Sequence, residues 1–174
     1  MIWEVFRQAS EDAAFTYCRD VHAPDQEMAK QFAVIQHGRR KPTHALWVAP
    51  QDEVGNVAKG DELGASTAGN TSATWQVFSP NRQGYHTHVG SVEATDTAGA
   101  KRAAIAEFAE DDENLWVIAD QVIGEVTADE VTFGGSTNKA YRFAQTYNID
   151  PAAEEVEASE QEQIDAEQRT RSEI

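Results

Sequence analysis

An α+β fold built from two tandem ββαβ domains is the fold class this sequence predicts, and three observations predict it. First, short strings recur in order. Ile2-Trp3-Glu4-Val5-Phe6 returns as Thr74-Trp75-Gln76-Val77-Phe78, Val21-His22-Ala23-Pro24-Asp25 as Val92-Glu93-Ala94-Thr95-Asp96, and Leu46-Trp47-Val48 as Leu115-Trp116-Val117. The offset drifts from 72 to 71 to 69, so the repeat has lost about three residues in its loops. Second, each copy carries the same order of patterns: period-two alternation twice, then a stretch opened by Asp, then an unbroken apolar run. Third, a stretch rich in Gly, Ala, Ser, Thr and Asn separates the copies. The predicted organisation is a first repeat over 1–55, a linker over 56–72, a second repeat with an aromatic extension over 73–150, and an acidic tail over 151–174.

Taken in order, the first strand puts Trp3 and Val5 on one face and Ile2, Glu4 and Phe6 on the other, matched by Trp75 and Val77 against Thr74, Gln76 and Phe78. Polar Glu4 and Gln76 mark the second face as the wetter one, so Phe6 and Phe78 are expected to cap a domain edge or meet a partner. A polar turn follows, then a second strand over 15–22, matched by 86–93. Asp25 and Asp96 are placed to cap a helix, with Pro24 suited to the entry turn of the first. The first helix is expected to run to about His37-Gly38. The apolar runs 45–49 and 115–119 are expected to be the most buried strands.

One helix across a small sheet suits a β-grasp roll, with a ferredoxin-like split βαβ as the competing arrangement. Two copies this small bury little surface alone, so they are expected to pack together as an internal pseudo-dimer. Beyond the second copy, residues 130–133 read as a short strand. The segments 139–143 and 146–151 read as an aromatic extension, and the Glu-, Gln- and Ala-rich tail as disordered or a frayed, solvated helix.

The chain has 174 residues and a net charge of −16, from 30 Asp plus Glu against 14 Lys plus Arg. Such a surface repels nucleic acid and anionic membrane, which removes both as partners. Acids spread over both copies, with few Lys, point to a halophilic protein whose self-repulsion salt would screen. There is no apolar run long enough to span a membrane and no basic-then-apolar leader, so a cytoplasmic location is expected. The single cysteine, Cys18, fits a reducing compartment and reads as a small apolar strand residue.

In the second copy, Gln76-Val77-Phe78, His86-Thr87-His88-Val89-Gly90-Ser91-Val92, Asp96 and Leu115-Trp116-Val117-Ile118 are followed by Lys139-Ala140-Tyr141-Arg142 and Thr146-Tyr147. This series resembles the small B subunit (PaaB) of the phenylacetyl-coenzyme A oxygenase complex, over residues 74–150. The first copy keeps Trp3-Glu4-Val5-Phe6 but has Phe15-Thr16-Tyr17-Cys18-Arg19-Asp20 at the His-x-His-Val-Gly-Ser position. The tandem form departs from a family whose members are usually single-copy. The resemblance implies a non-catalytic bridging or assembly subunit of a multicomponent ring epoxidase in aerobic phenylacetate degradation. Its partners would be the di-iron catalytic subunit and that subunit's structural companion. The di-iron site, the FAD and the iron–sulfur cluster belong to those other subunits, with no cofactor in this chain.

Read directly, the residues agree with a chain that performs no oxidation itself. No Glu-x-x-His occurs for a di-iron site, one Cys cannot hold an iron–sulfur cluster, and neither a dinucleotide fingerprint nor a P-loop is present. No catalytic and no metal-ligating residue is assigned. His86 and His88 share a strand face but lack a third ligand in the sequence, and the first copy has Phe15 and Tyr17 in their place. The residues expected to bind partners are Phe6, Phe78, His86, His88, Gly90, Ser91, Tyr141 and Arg142. Tyr and Arg suit interface anchors, and Gly90 would permit close backbone approach. A different class of function, a free-standing small-ligand binding or sensing module using the cleft between copies, is the alternative. A small metal-dependent enzyme centred on His86 and His88 ranks last.

Overall fold

The computed structural model describes residues 1–39, 41–66, 69, 71–109 and 114–133. Its element order is β1 (Ile2–Gln8), β2 (Thr16–His22), α1 (Gln26–His37), β3 (Ala45–Pro50), a 3-10 turn (Gln51–Glu53) and β4 (Gly55–Ala58). The same series then recurs as β5 (Ala73–Pro80), β6 (His86–Ala94), α2 (Thr97–Phe108), β7 (Asn114–Ala119), a 3-10 turn (Asp120–Val122) and β8 (Gly124–Thr127). All eight strands form one sheet, in the order β4-β7-β5-β6-β2-β1-β3-β8, and every pairing is antiparallel. The class is α+β.

Local chemistry sets the elements where the repeat places them. Asp25 Oδ1 accepts from the Met28 N–H at 2.9 Å, and Asp96 Oδ1 from the Gly99 N–H at 2.7 Å, so both helices start at their capping aspartates. Each helix rests on its sheet through two fully buried alanines, Ala29 and Ala33 or Ala100 and Ala104. Around them lie Trp3, Val5, Val21, Leu46 and Val48 in one core, and Val77, Val92, Leu115, Val117 and Val57 in the other.

Two features differ from the sequence expectation. β2 and β3 both run antiparallel to β1, so they are parallel to each other and joined across β1 by α1. This is the split βαβ arrangement, and it excludes the β-grasp roll, whose first and last strands are parallel. Each unit also has a fourth strand. β4 pairs with β7, and β8 pairs with β3, so each copy lends its last strand to the other copy's sheet. Residues 130–133, expected as a strand, form a turn with a bend instead. The strand lies earlier, at β8, where Val126 is buried opposite Leu46.

The halves meet at β2 and β6 through one ladder pair, Thr16 with Thr87, whose hydroxyls lie 3.3 Å apart. Along such a sheet β1 and β5 would be separated by two strands, β2 and β6. Yet the Phe6 and Phe78 ring centroids are 4.3 Å apart. The sheet therefore folds over at β2/β6, and the two half-sheets face one another with helices outside. Phe6, Phe15, Ala45, Ala49, Phe78 and Ile118 form the core between them.

Candidate functional site

The face of Glu4 and Gln76, expected to be wetter, is the inner face of this closure. Phe6 and Phe78 are 1% and 0% exposed and touch each other, so their partner is the other copy of the same chain and they offer nothing to a second protein. Around them the rings pair in matching ways, edge-on between the copies and stacked within each copy. Tyr17 meets Trp116 edge-on at 5.2 Å, and His88 meets Trp47 edge-on at 5.5 Å. Phe15 stacks on Trp47 and His86 on Trp116, each at 3.8 Å. A cleft between the copies is thus filled by aromatic side chains, and the ligand-binding alternative loses the space it was assigned.

His86 and His88 belong to this interior. His86 Nε2 lies 2.9 Å from the Asn114 carbonyl, to which it donates. Gln76 Nε2 donates to Asp120 Oδ1 at 2.9 Å, which turns Gln76 Oε1 toward His88 and fixes Nε2 of His88, 2.7 Å away, as the protonated nitrogen. Burial lowers both imidazoles below the usual histidine value, against a smaller opposing effect of hydrogen bonds to the Asn114 and Gly90 backbones. They are neutral wall residues. Among the described residues no group of three or more His, Cys, Asp or Glu side chains is placed to hold a metal ion.

The first copy builds the same network from other residues. Gln51 Nε2 donates to Glu4 Oε1 at 2.8 Å, and Glu4 is 5% exposed. Its Oε2 makes no hydrogen bond among the described residues. Burial and then the Glu4 carboxylate push the Tyr17 phenol far above its ordinary value. Gln51–Glu4–Tyr17 thus occupies the positions of Asp120–Gln76–His88. Tyr17 could be read as a counterpart of His88 in sequence, but the shared network is visible only in three dimensions.

Gly90 does permit a close approach, from within the chain. A Cβ there would stand 2.6 Å from the Phe108 ring of α2. Ser91 is exposed. Tyr141 and Arg142, the expected interface anchors, lie outside the described residues. Cys18 is half-buried with Sγ 3.3 Å from the Val5 carbonyl, and burial pushes its thiol up to about 11. Surface that pattern alone did not mark lies elsewhere: Ile35, Tyr85 and Val89 are 52%, 51% and 44% exposed. An open groove of about 600 Å³ runs past Val89, Glu107 and Phe108 beside the turn at Pro80–Arg82.

The family described as Phenylacetic acid degradation B (PaaB) matches residues 1–69 and again residues 71–154. The chain belongs to the PaaB family. Each PaaB match spans one full series of strands and helix, β1 to β4 and then β5 to β8. PaaB is a non-catalytic subunit of the phenylacetyl-CoA oxygenase complex, so this chain is a subunit related to phenylacetate degradation. No curated protein and no solved structure matches it. No helix among the described residues is long and apolar enough to cross a membrane.

Proposed function

We propose that this chain bridges and assembles a multicomponent phenylacetyl-CoA ring epoxidase, as two PaaB units joined into an internal pseudo-dimer. The observation that carries this reading is the double family match laid over a sheet whose strand order reads the same from both ends once β1–β4 are exchanged with β5–β8. A subunit whose copies complete each other's sheets presents two related outer faces on one rigid body. Linking them raises the effective concentration of the second contact without adding any new one.

The units are 1–58 and 73–150, the first reaching past the expected boundary at 55 because β4 runs to Ala58, with 59–72 as the link and 151–174 as an acidic tail. The partners are the di-iron catalytic subunit and its structural companion. Di-iron, FAD and iron–sulfur chemistry reside outside this chain, which acts in the cytoplasm of a halophile. With Phe6, Phe78, His86 and His88 inside, the partner-facing surface shifts to Val89, Ser91 and Tyr85, together with Tyr141 and Arg142.

The test is co-purification with the host's di-iron subunit in molar salt, followed by mass determination. A defined complex with metal confined to the partner is expected. Elution of this chain alone would remove the bridging reading and favour a ligand-binding one, with the groove beside Val89 as its site.

A further inference from the structure

The two copies differ in charge at one equivalent corner, where the helix ends over the sheet. In the second copy Phe108, at the end of α2, lies on Gly90, and Ser79 ends the row begun by Trp75 and Val77. In the first copy the same three places hold His37, Arg19 and Arg7. Arg7 pairs with Leu46 in the register that puts Trp3 and Val5 under α1, so it extends the helix-facing row. His37 is the last residue of α1 and hydrogen-bonds the Asp20 backbone. The charges of Arg7 and Arg19 reach His37, and those of Arg7 and Lys41 reach Cys18. One acid, Asp20, faces the same histidine, and it also lies 3.4 Å from His22.

The fold does not require these cations, since the second copy builds the corner without them. A cation at a helix C-terminus is stabilising, which accounts for one of them and not for three permanent charges and an imidazole. The arrangement is also costly. Arg19 has φ +151°, a conformation that L side chains rarely adopt, whereas its counterpart Gly90 has no positive φ. Arg7 Nε and His37 Nε2 are both shielded from solvent and make no hydrogen bond among the described residues. All this sits on a chain of net charge −16.

We infer that the Arg7–Arg19–His37–Lys41 corner is a binding site for a phosphate-type dianion. Two guanidinium groups, an ammonium and an imidazole supply more donors than one carboxylate accepts, and guanidinium forks match the oxygen spacing of phosphate. An occupying dianion would offset the repulsion among the four side chains and give Arg7 Nε the acceptor it lacks among the described residues. The site stands apart from the interior between the half-sheets and does not depend on the bridging role.

The experiment is thermal melting of the full chain against inorganic phosphate, at ionic strength held constant with potassium chloride. Acetate serves as the carboxylate control, and ³¹P line width as a second readout. The comparison protein carries the second copy's residues, Arg7→Ser, Arg19→Gly and His37→Phe. Arg7→Ser alone is used if the triple variant does not melt cooperatively. A saturable rise in Tm of a few degrees with phosphate, absent with acetate and absent in the variant, is the expected result. No rise in the native chain, an equal rise in native and variant, or an equal effect of acetate would each overturn the assignment.

Discussion

Gly90 shows how one residue changes meaning between sequence and structure. Its lack of a side chain reads as room for a partner, and the room is taken by Phe108. Gly90→Ala should therefore cost about 1–3 kcal/mol by overpacking. Combining it with Phe108→Leu should recover part of the loss, as measured by urea unfolding. If the alanine is neutral, the ring contact is not a constraint. The interior histidines make a second expectation. Burial lowers His37, His86 and His88, so these side chains bind protons more readily in the unfolded chain than in the folded one. Their contribution is fully present above about pH 6.5 and is lost as pH falls from there toward the lower folded values. Unfolding free energy should decline over that window, and the decline should be shallower in His86→Phe, His88→Tyr, which carries the first copy's residues. Equal slopes would show that the histidines do not drive it.

At the scale of elements, strand exchange is the decisive feature. β8 is four residues long and begins with a buried glycine whose Cβ position lies 2.8 Å from Gln26 of α1. Gln26 Nε2 in turn donates to the Val122 carbonyl, so the first helix of one copy holds the strand of the other. Gly55 of β4 repeats this against Thr97 and Lys101 of α2. Val126 is 4% exposed, and Val126→Asp would bury an unpaired carboxylate there. A loss of at least about 2 kcal/mol is expected, with faster amide exchange on β3, in the first copy, although the mutation lies in the second. Exchange that quickens only on β7 would contradict the pairing. The aspartate-capped helices and the six long strands were legible because their signals are local. β4 and β8 were not, because a four-residue strand whose ladder partners lie 56 to 82 residues away carries no periodicity of its own.

Over the whole molecule, the described part of the chain is one interlocked body. Met1–Gly135 form a single compact unit, and the core between the half-sheets draws on both copies. The connection after β4 is itself fastened to the second copy, with Ser66 Oγ donating to Asp96 Oδ1 and Leu63 packed on the second core. A protease site inserted after Gly64 should thus yield two fragments that stay together through size exclusion and melt in one transition. The fragment 1–64 made alone should not fold cooperatively, since β8 is missing from its sheet and its inner face lies bare. Fragments that separate after cleavage and each melt cooperatively would show two independent domains.

The repeat, the ββαβ order shared by the two copies, the helix starts, the acidic composition and the family resemblance were all determined by sequence alone, since each is written in neighbouring residues or in recurring strings. Only the tertiary structure decided which strands pair and what the aromatic residues face. Phe6, Phe78, His86 and His88 carry the same alternation whether their face meets solvent, a partner or the other copy. Pairing depends on contacts between residues distant in the chain, and closing the sheet at Thr16 and Thr87 is what turned a presumed outer face into a core.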